Sequence, residues 1–182
     1  MSTVMKLKLN LSGNKCNEYP RLTILHNQLV IYSGLINESI EVELDIKLQK
    51  DNLITLHGID KSQGKNGKWD TQIDNNGQIL ADKSLCINNI WIDNISMGQE
   101  WIRSLTLTND AGQEKFLTRT WWNNGSISFS IQEPLLDWII QEKFINAEKN
   151  IITTDDARSG ERRFDYEYIQ EKIHSIRKII ND

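Results

Sequence analysis

Four aspartates, Asp70, Asp74, Asp82 and Asp93, and six tryptophans are the residues of this chain with the most chemistry to offer. Asp74-Asn75-Asn76-Gly77 has the oxygen-rich, glycine-ended character of a calcium loop. Asp74 and Asp82 form the pair that would hold Ca2+ if folding made them converge. The alternating ladder of oxygen ligands and the closing glutamate of such loops are missing. The favoured reading of the same residues is therefore a hairpin turn braced by the Asp74 side chain. A carboxylate pair for glycoside hydrolysis needs a cleft that raises one pKa, and nothing in the sequence marks one.

The tryptophans are Trp69, Trp91, Trp101, Trp121, Trp122 and Trp138. A flat exposed indole is how a β-sandwich stacks on a sugar ring, and indole is also a favoured interface anchor; most large aromatics nonetheless serve the core. Trp138 lies on a helical stripe and Trp91 in an apolar strand, so both are expected in the core or between strands. Trp121 and Trp122 are neighbours in a strand, so one of them must face away from the core. Trp69 follows a polar, glycine-bearing loop, residues 61–68. Trp69 and one of Trp121 and Trp122 are thus the candidate glycan contacts. His26, His57 and His174 sit in no nucleophile motif, Gly-x-Ser-x-Gly and glycine-rich phosphate loops are absent, and the chain reads as non-enzymatic.

The elements that would position these residues are mostly strands. Met5–Leu11 and Ile40–Leu48 alternate apolar and polar side chains, the mark of a strand with one face buried. Arg21–Ile24 and Leu29–Tyr32 flank His26-Asn27-Gln28, a hairpin turn in which Asn27 takes a positive φ. Lys50-Asp51-Asn52 turns into Leu53–Gly58, expected to pair antiparallel with Ile40–Leu48. Short strands follow on either side of the Asp74–Gly77 turn. Leu85–Ile95 is a long strand with a bulge at Asn88-Asn89, where alternation slips. Ile102–Thr108, Lys115–Trp122 and Ser126–Ile131 complete the set, separated by Asn- and Gly-bearing turns. Turn signals at this spacing belong to a sandwich or barrel. Glu133-Pro134 opens a helix, Leu135–Phe144, that covers the sheet.

Residues 147–163 are polar and read as a linker. Beyond them Tyr166, Ile169, Ile173, Ile176 and Ile180 recur at alternating spacings of three and four, an amphipathic helix over 164–182. That helix either docks on its own domain or meets another subunit; the linker before it favours the second. The chain of 182 residues is long enough for one core with an appendage. Its net charge of −4 and the lack of a local basic block argue against a protein that neutralises nucleic-acid phosphates. No run approaches the ~18 apolar residues of a membrane span. The first residues lack the apolar core of a signal peptide, so synthesis in the cytosol is expected. Cys16 and Cys86 are read as two unpaired thiols.

One stretch resembles a known group of proteins. Gly67-Lys68-Trp69-Asp70-Thr71, Asp74-Asn75-Asn76-Gly77-Gln78-Ile79, Asp82 and Ile87-Asn88-Asn89-Ile90-Trp91-Ile92-Asp93 resemble a pattern in small, carbohydrate-binding-module-like β-sandwich virion proteins of aquatic tailed bacteriophages. Trp122-Asn123-Asn124-Gly125-Ser126-Ile127-Ser128-Phe129 and Glu133-Pro134-Leu135-Leu136-Asp137-Trp138 are similar to the closing strand and helix of the same proteins. The likeness spans about residues 28 to 142, and its motifs are turn chemistry and strand alternation. It implies a bacteriophage structural protein, tail- or capsid-associated, made in the host cytoplasm and residing in the virion. It implies an oligomer whose partners are other virion proteins and, through the sandwich, a host surface glycan. No catalytic residue carries over.

The expectation is therefore a mostly β protein: a jelly-roll-like antiparallel β-sandwich over residues 1–146 with a covering helix 134–144, a linker, and a C-terminal amphipathic helix. It attaches to virion partners through Tyr166, Ile169, Ile173, Ile176 and Ile180 and binds neither nucleic acid nor membrane. The alternative is a stand-alone carbohydrate-binding module. If the terminal helix is an assembly element, light scattering will show the full chain as a defined oligomer and a chain ending at Asn146 as a folded monomer. Two monomers of equal stability would remove the assembly role.

Overall fold

The computed structural model describes residues 3–61, 70–117 and 120–142. The linker 147–163, the segment 164–182 and Trp69 lie outside the described residues.

Two antiparallel sheets face each other. One is built around β1 (Val4–Asn14), which pairs with β4 (Ile40–Lys47) on one side and β8 (Ser84–Ile92) on the other. Leu7, Leu9 and Leu11 alternate with Lys6, Lys8 and Asn10, and the three leucines and Met5 are fully buried. A bulge falls where Asn10 pairs with Asn89 but Leu11 with Ile87, leaving Asn88 as the extra residue, as the slipped alternation predicts. β9 (Ile95–Ser96) folds back on the end of β8 through Asp93 and Asn94, both at positive φ, and β12 (Thr120–Trp121) pairs with the start of β8 on the edge away from β1.

The second sheet runs β11 (Glu114–Phe116), β10 (Thr106–Asn109), β13 (Gly125–Ile131), β5 (Asn52–Ile59), β2 (Arg21–His26), β3 (Leu29–Leu35). β2 and β3 form the expected hairpin, with Asn27 and Gln28 at φ 48° and 69°, the pair of positive values that a tight two-residue turn requires. A separate hairpin, β6 (Thr71–Ile73) with β7 (Ile79–Asp82), stands apart from both sheets. The chain passes repeatedly from one sheet to the other, which gives the sandwich its jelly-roll-like character.

Three expectations are corrected. First, β4 and β5 are not neighbours: β4 joins β1, while β5 joins β2 and β13 in the opposite sheet. Leu48 turns inward and is buried, so the connection crosses the core edge instead of reversing within one sheet. Second, Ile102–Thr108 is not one strand. α1 (Gly98–Ser104) precedes β10, and adjacent Trp101 and Ile102 are both buried; successive strand residues would face opposite ways. Third, Lys115–Trp122 divides between β11 in one sheet and β12 in the other. Trp91 also proves half-exposed rather than core, on the outer side of β8, with the Lys8 ammonium 5.2 Å from its ring centre.

α2 (Leu135–Ile140) begins where expected and buries Trp138 and Ile139. Trp101 joins both helices to the sheet: its ring meets Phe129 edge-on at 5.2 Å and Trp138 at 6.4 Å.

The crossing from β4 to β5 is braced by buried Asn52. Its Oδ1 accepts from the Gln49 amide at 2.8 Å, its Nδ2 donates to the Gln49 carbonyl at 2.9 Å, and His26 Nε2 lies 3.2 Å from Oδ1. Asn27 locks the same corner: its Oδ1 accepts from the Leu53 amide and its Nδ2 donates to the Asp51 carbonyl. Replacing Asn52 by Ala leaves buried His26 and the part-buried Gln49 amide and carbonyl without this partner, and a buried polar group left unpaired costs about 1–3 kcal/mol. Urea unfolding of Asn52→Ala is expected to show a loss of about 2 kcal/mol or more; an unchanged midpoint would mean the corner does not depend on this side chain.

Candidate functional site

One end of the sandwich collects four segments that are far apart in sequence: Asp60-Lys61 after β5, Asp70-Thr71 at the start of β6, Asp82-Lys83 after β7, and Trp122–Asn124 between β12 and β13. Strand pairing sets this up. Thr71 is opposite Asp82 in the β6–β7 hairpin, and Gly58 is opposite Gly125 where β5 meets β13. A Cβ on Gly125 would sit 2.4 Å from the Thr108 carbonyl oxygen, so only glycine lets the chain enter β13 this closely.

Two lysine–aspartate pairs hold the segments together. Lys83 Nζ is 2.9 Å from Asp70 Oδ2, with both side chains only 5% exposed, and it also donates to the Asp60 carbonyl at 3.0 Å. The backbone repeats the link, since the Lys83 amide donates to the Asp70 carbonyl at 2.8 Å. Lys61 Nζ pairs with Asp82 Oδ1, the oxygen that also accepts from Thr71 Oγ1 at 2.6 Å, and it donates to the Trp122 carbonyl at 3.2 Å. Asn124 grips the Lys61 backbone from both sides. Its Oδ1 accepts from the Lys61 amide, and its Nδ2 donates to the Lys61 carbonyl at 3.0 Å. Residues 61 and 70, which bound segment 62–69, are thereby both fixed to the end of the β6–β7 hairpin.

The tryptophans divide clearly. Trp121 is fully buried and Trp122 is 45% exposed. The Trp121 indole packs beside Gly58, 3.7 Å from where a Cβ would stand, and its Nε1–H has no acceptor among the described residues. Trp121 therefore supports the rim from beneath and is not itself a surface contact. Trp122 lies on the rim, with its carbonyl fixed by Lys61.

Asp74 and Asp82 are not brought together. Asp74 belongs to the hairpin tip, where its Oδ1 accepts from the Asn76 and Gln78 amides, both at 2.8 Å. The Gln78 N–H, with help from Asn76, holds its carboxyl below the usual carboxylate range. Asp82 belongs to the hairpin base, some three strand residues away, roughly 10 Å at about 3.4 Å per residue. The turn reading of Asp74–Gly77 holds, and the hairpin places the two carboxylates at its opposite ends. Among the described residues no group of three or more His, Cys, Asp or Glu side chains is placed to hold a metal ion. Cys16 and Cys86 are not disulfide-bonded to each other. Burial first, then nearby Asp70 and Asp82, push the Cys16 thiol up, which keeps it protonated and unreactive.

Sequence reasoning singled out Trp122 but missed Lys61, Lys83, Thr71 and Asn124. The available signal was Asp82-Lys83, adjacent opposite charges at the end of a short strand. Their partners come from distant segments.

No protein-family model and no curated protein matches the chain. Among solved structures it is similar to vCBM60 in complex with galactobiose, with a TM-score of 0.44, 10% identity, and coverage of 69% of this chain and 99% of that one. It is also similar to the selenomethionine form of vCBM60, described with a circular permutation linking two families of calcium-dependent carbohydrate-binding modules (TM-score 0.44, 10% identity, 69% of this chain, 89% of that one).

Truncating one member of a buried ion pair strands the other charge, at a cost of about 3–5 kcal/mol, whereas replacing both by apolar groups is often neutral. Lys83→Met is expected to lose about 3 kcal/mol in urea unfolding, and Lys83→Met with Asp70→Leu to recover most of it. Equal losses in the single and double variants would show that the two charges do not act as a pair.

Proposed function

We propose that the protein binds carbohydrate without chemically altering it, using the rim around Trp122 as its contact surface. The observation that carries this reading is the placement of Trp122. Of the five described tryptophans it is the most exposed, and it stands on backbone fixed by Lys61 and Asn124. A pyranose ring presents an apolar C–H face and a girdle of hydroxyls. An indole covers the first, and a few well-held polar groups satisfy the second. Thr71, Asp82, Lys61 and Asn124 are such groups, and their mutual hydrogen bonds hold them in place before any ligand arrives, which lowers the ordering cost of binding.

The same arrangement favours binding over hydrolysis. Asp70 is engaged by Lys83, and Asp82 by Lys61 and Thr71. These carboxylates stabilise cationic neighbours and do not face each other across an open cleft. The virion-attachment reading rests on residues 164–182, outside the described residues, and no observation on the sandwich favours it.

The test is a neutral-glycan array followed by calorimetry on the best ligand. Trp122→Ala is expected to weaken binding about tenfold or more, equivalent to about 1.4 kcal/mol. Trp69→Ala, at the other candidate indole, belongs in the same series. Equal binding by wild type and Trp122→Ala would remove the rim from the account, and no binding anywhere on the array would remove the carbohydrate reading.

A further inference from the structure

The two outer faces of the sandwich differ sharply in charge. On the sheet built around β1, outward side chains form ion pairs, Lys6 with Glu43 at 2.9 Å and Lys8 with Glu41 at 3.0 Å. On the six-stranded sheet the register places a different row across five strands: Thr108 opposite Ser126, Ser126 opposite His57, His57 opposite Thr23, and Thr23 opposite Ser33. Their chain neighbours Leu107, Ile127, Leu56 and Leu22 are buried, so this row points outward. Thr55 and Ser128 stand opposite each other in the next row. From Thr108 to Ser33 the row holds no Asp, Glu, Lys or Arg; the nearest charges on this side are marginal, Glu114 opposite Thr108 on edge strand β11 and Arg21 at the start of β2.

We infer that this outer face is a second carbohydrate contact, taking an extended uncharged polysaccharide chain laid across the strands. The inference rests on the carbohydrate reading of the protein. Three observations carry it. The centre of the face is uncharged, so it offers no ion-pair attraction there for phosphate, sulfate or uronate groups and imposes no charge-desolvation penalty on a neutral chain. Its polar groups are already ordered by one another: His57 Nδ1 lies 2.8 Å from Ser126 Oγ, Thr55 Oγ1 2.9 Å from Ser128 Oγ, and Thr23 Oγ1 3.2 Å from Ser33 Oγ. A hydroxyl has one donor and two acceptor lone pairs, so each hydroxyl pair keeps a donor and several lone pairs for a ligand. Finally, the groups repeat at the strand spacing of roughly 4.8 Å, close to the advance per residue of an extended pyranose chain. Exposed apolar residues border the row, Leu53 beside Thr55 on β5, Val30 on β3 and Phe116 on β11, where they can meet the C–H faces of sugar rings.

Affinity electrophoresis of the full chain through gels holding xylan, galactan, mannan or β-glucan tests this. Thr55→Val with Ser128→Ala removes a hydroxyl pair at nearly constant shape, and Thr55→Lys places a charge in the centre of the face. Both are expected to reduce the apparent affinity for the retarding polysaccharide at least fivefold, with unchanged far-UV circular dichroism. If Thr55→Lys disturbs folding, the hydroxyl-deletion variant decides alone. Retardation equal to wild type in the face variants would show a solvated sheet face only and overturn the inference, even where Trp122→Ala abolishes binding. Loss in the face variants with Trp122→Ala unaffected would uphold this surface and overturn the rim. A wild-type chain retarded by none of the gels would overturn both.

Discussion

The sandwich depends on β1 being paired along both edges while its inner face is completely removed from water. Met5, Leu7, Leu9 and Leu11 are fully buried, and β4 and β8 bond to the strand over most of its length. Each such side chain contributes about 1.5–3 kcal/mol of burial. A shift of one residue in register would turn all four outward and bring Lys6, Lys8 and Asn10 into the core. That penalty fixes the strand's orientation, and the opposing sheet must then supply apolar side chains of its own, among them Leu22, Ile24, Ile54, Leu56, Ile127 and Phe129. The two helices extend this apolar layer through Trp101 and Trp138; the loop end carrying the β6–β7 hairpin is held by polar groups instead.

The loop end shows what replaces hydrophobic packing there. The β6–β7 hairpin has two short strands whose apolar side chains Ile73, Ile79 and Leu80 are exposed. A lone hairpin of this kind is marginal in water. Its base is nevertheless tied down by the Lys83–Asp70 and Lys61–Asp82 pairs and by Thr71. Buried ion pairs of this kind contribute little net stability relative to apolar replacements. What they do supply is direction: Lys83 finds its acceptors in Asp70 and Asp60, and Lys61 in Asp82 and Trp122, so each ammonium fixes the relative position of two segments. That is the property a binding rim needs, and it explains why charged groups occupy positions that simple packing would fill with apolar ones.

Much of this was legible in local pattern. Alternation identified the inward leucines of β1 and the inward face of β13, and Asn27 declared its positive φ because few other residues adopt one cheaply. Trp121-Trp122 announced a surface indole because adjacent strand residues cannot both face inward. Local pattern says which face of a strand is buried but not which sheet the strand joins, so β4 and β5 were paired wrongly: both assignments bury the same side chains. The expected strand Ile102–Thr108 failed for a related reason. An apolar run through Ile102 fits a strand as well as a short helix, and tertiary contacts with Phe129 and Trp138 decide between them. The rim was illegible because each of its hydrogen bonds joins segments whose proximity is a result of topology.

The asymmetry between the two outer faces follows from the same topology and bears on what the protein can bind. An antiparallel sheet with one solvated face needs only polar outward residues, and either lysine–glutamate pairs or hydroxyls satisfy that need. β1 and β4 take the first course. There the charges also protect β4, whose free edge would otherwise invite pairing with another chain, and Glu41, Glu43 and Asp45 along it oppose such pairing. The centre of the six-stranded sheet has no free edge to protect, since β5 and β13 are paired on both sides. Edge protection thus accounts for the charged face and makes no demand on the uncharged one. Serines at successive outward positions of β13, with Thr55 and His57 beside them on β5, satisfy solvation, but charged side chains would do so equally well. The restriction to small uncharged hydroxyls leaves a flat surface that a rigid, hydroxylated ligand can approach without displacing long side chains or breaking ion pairs.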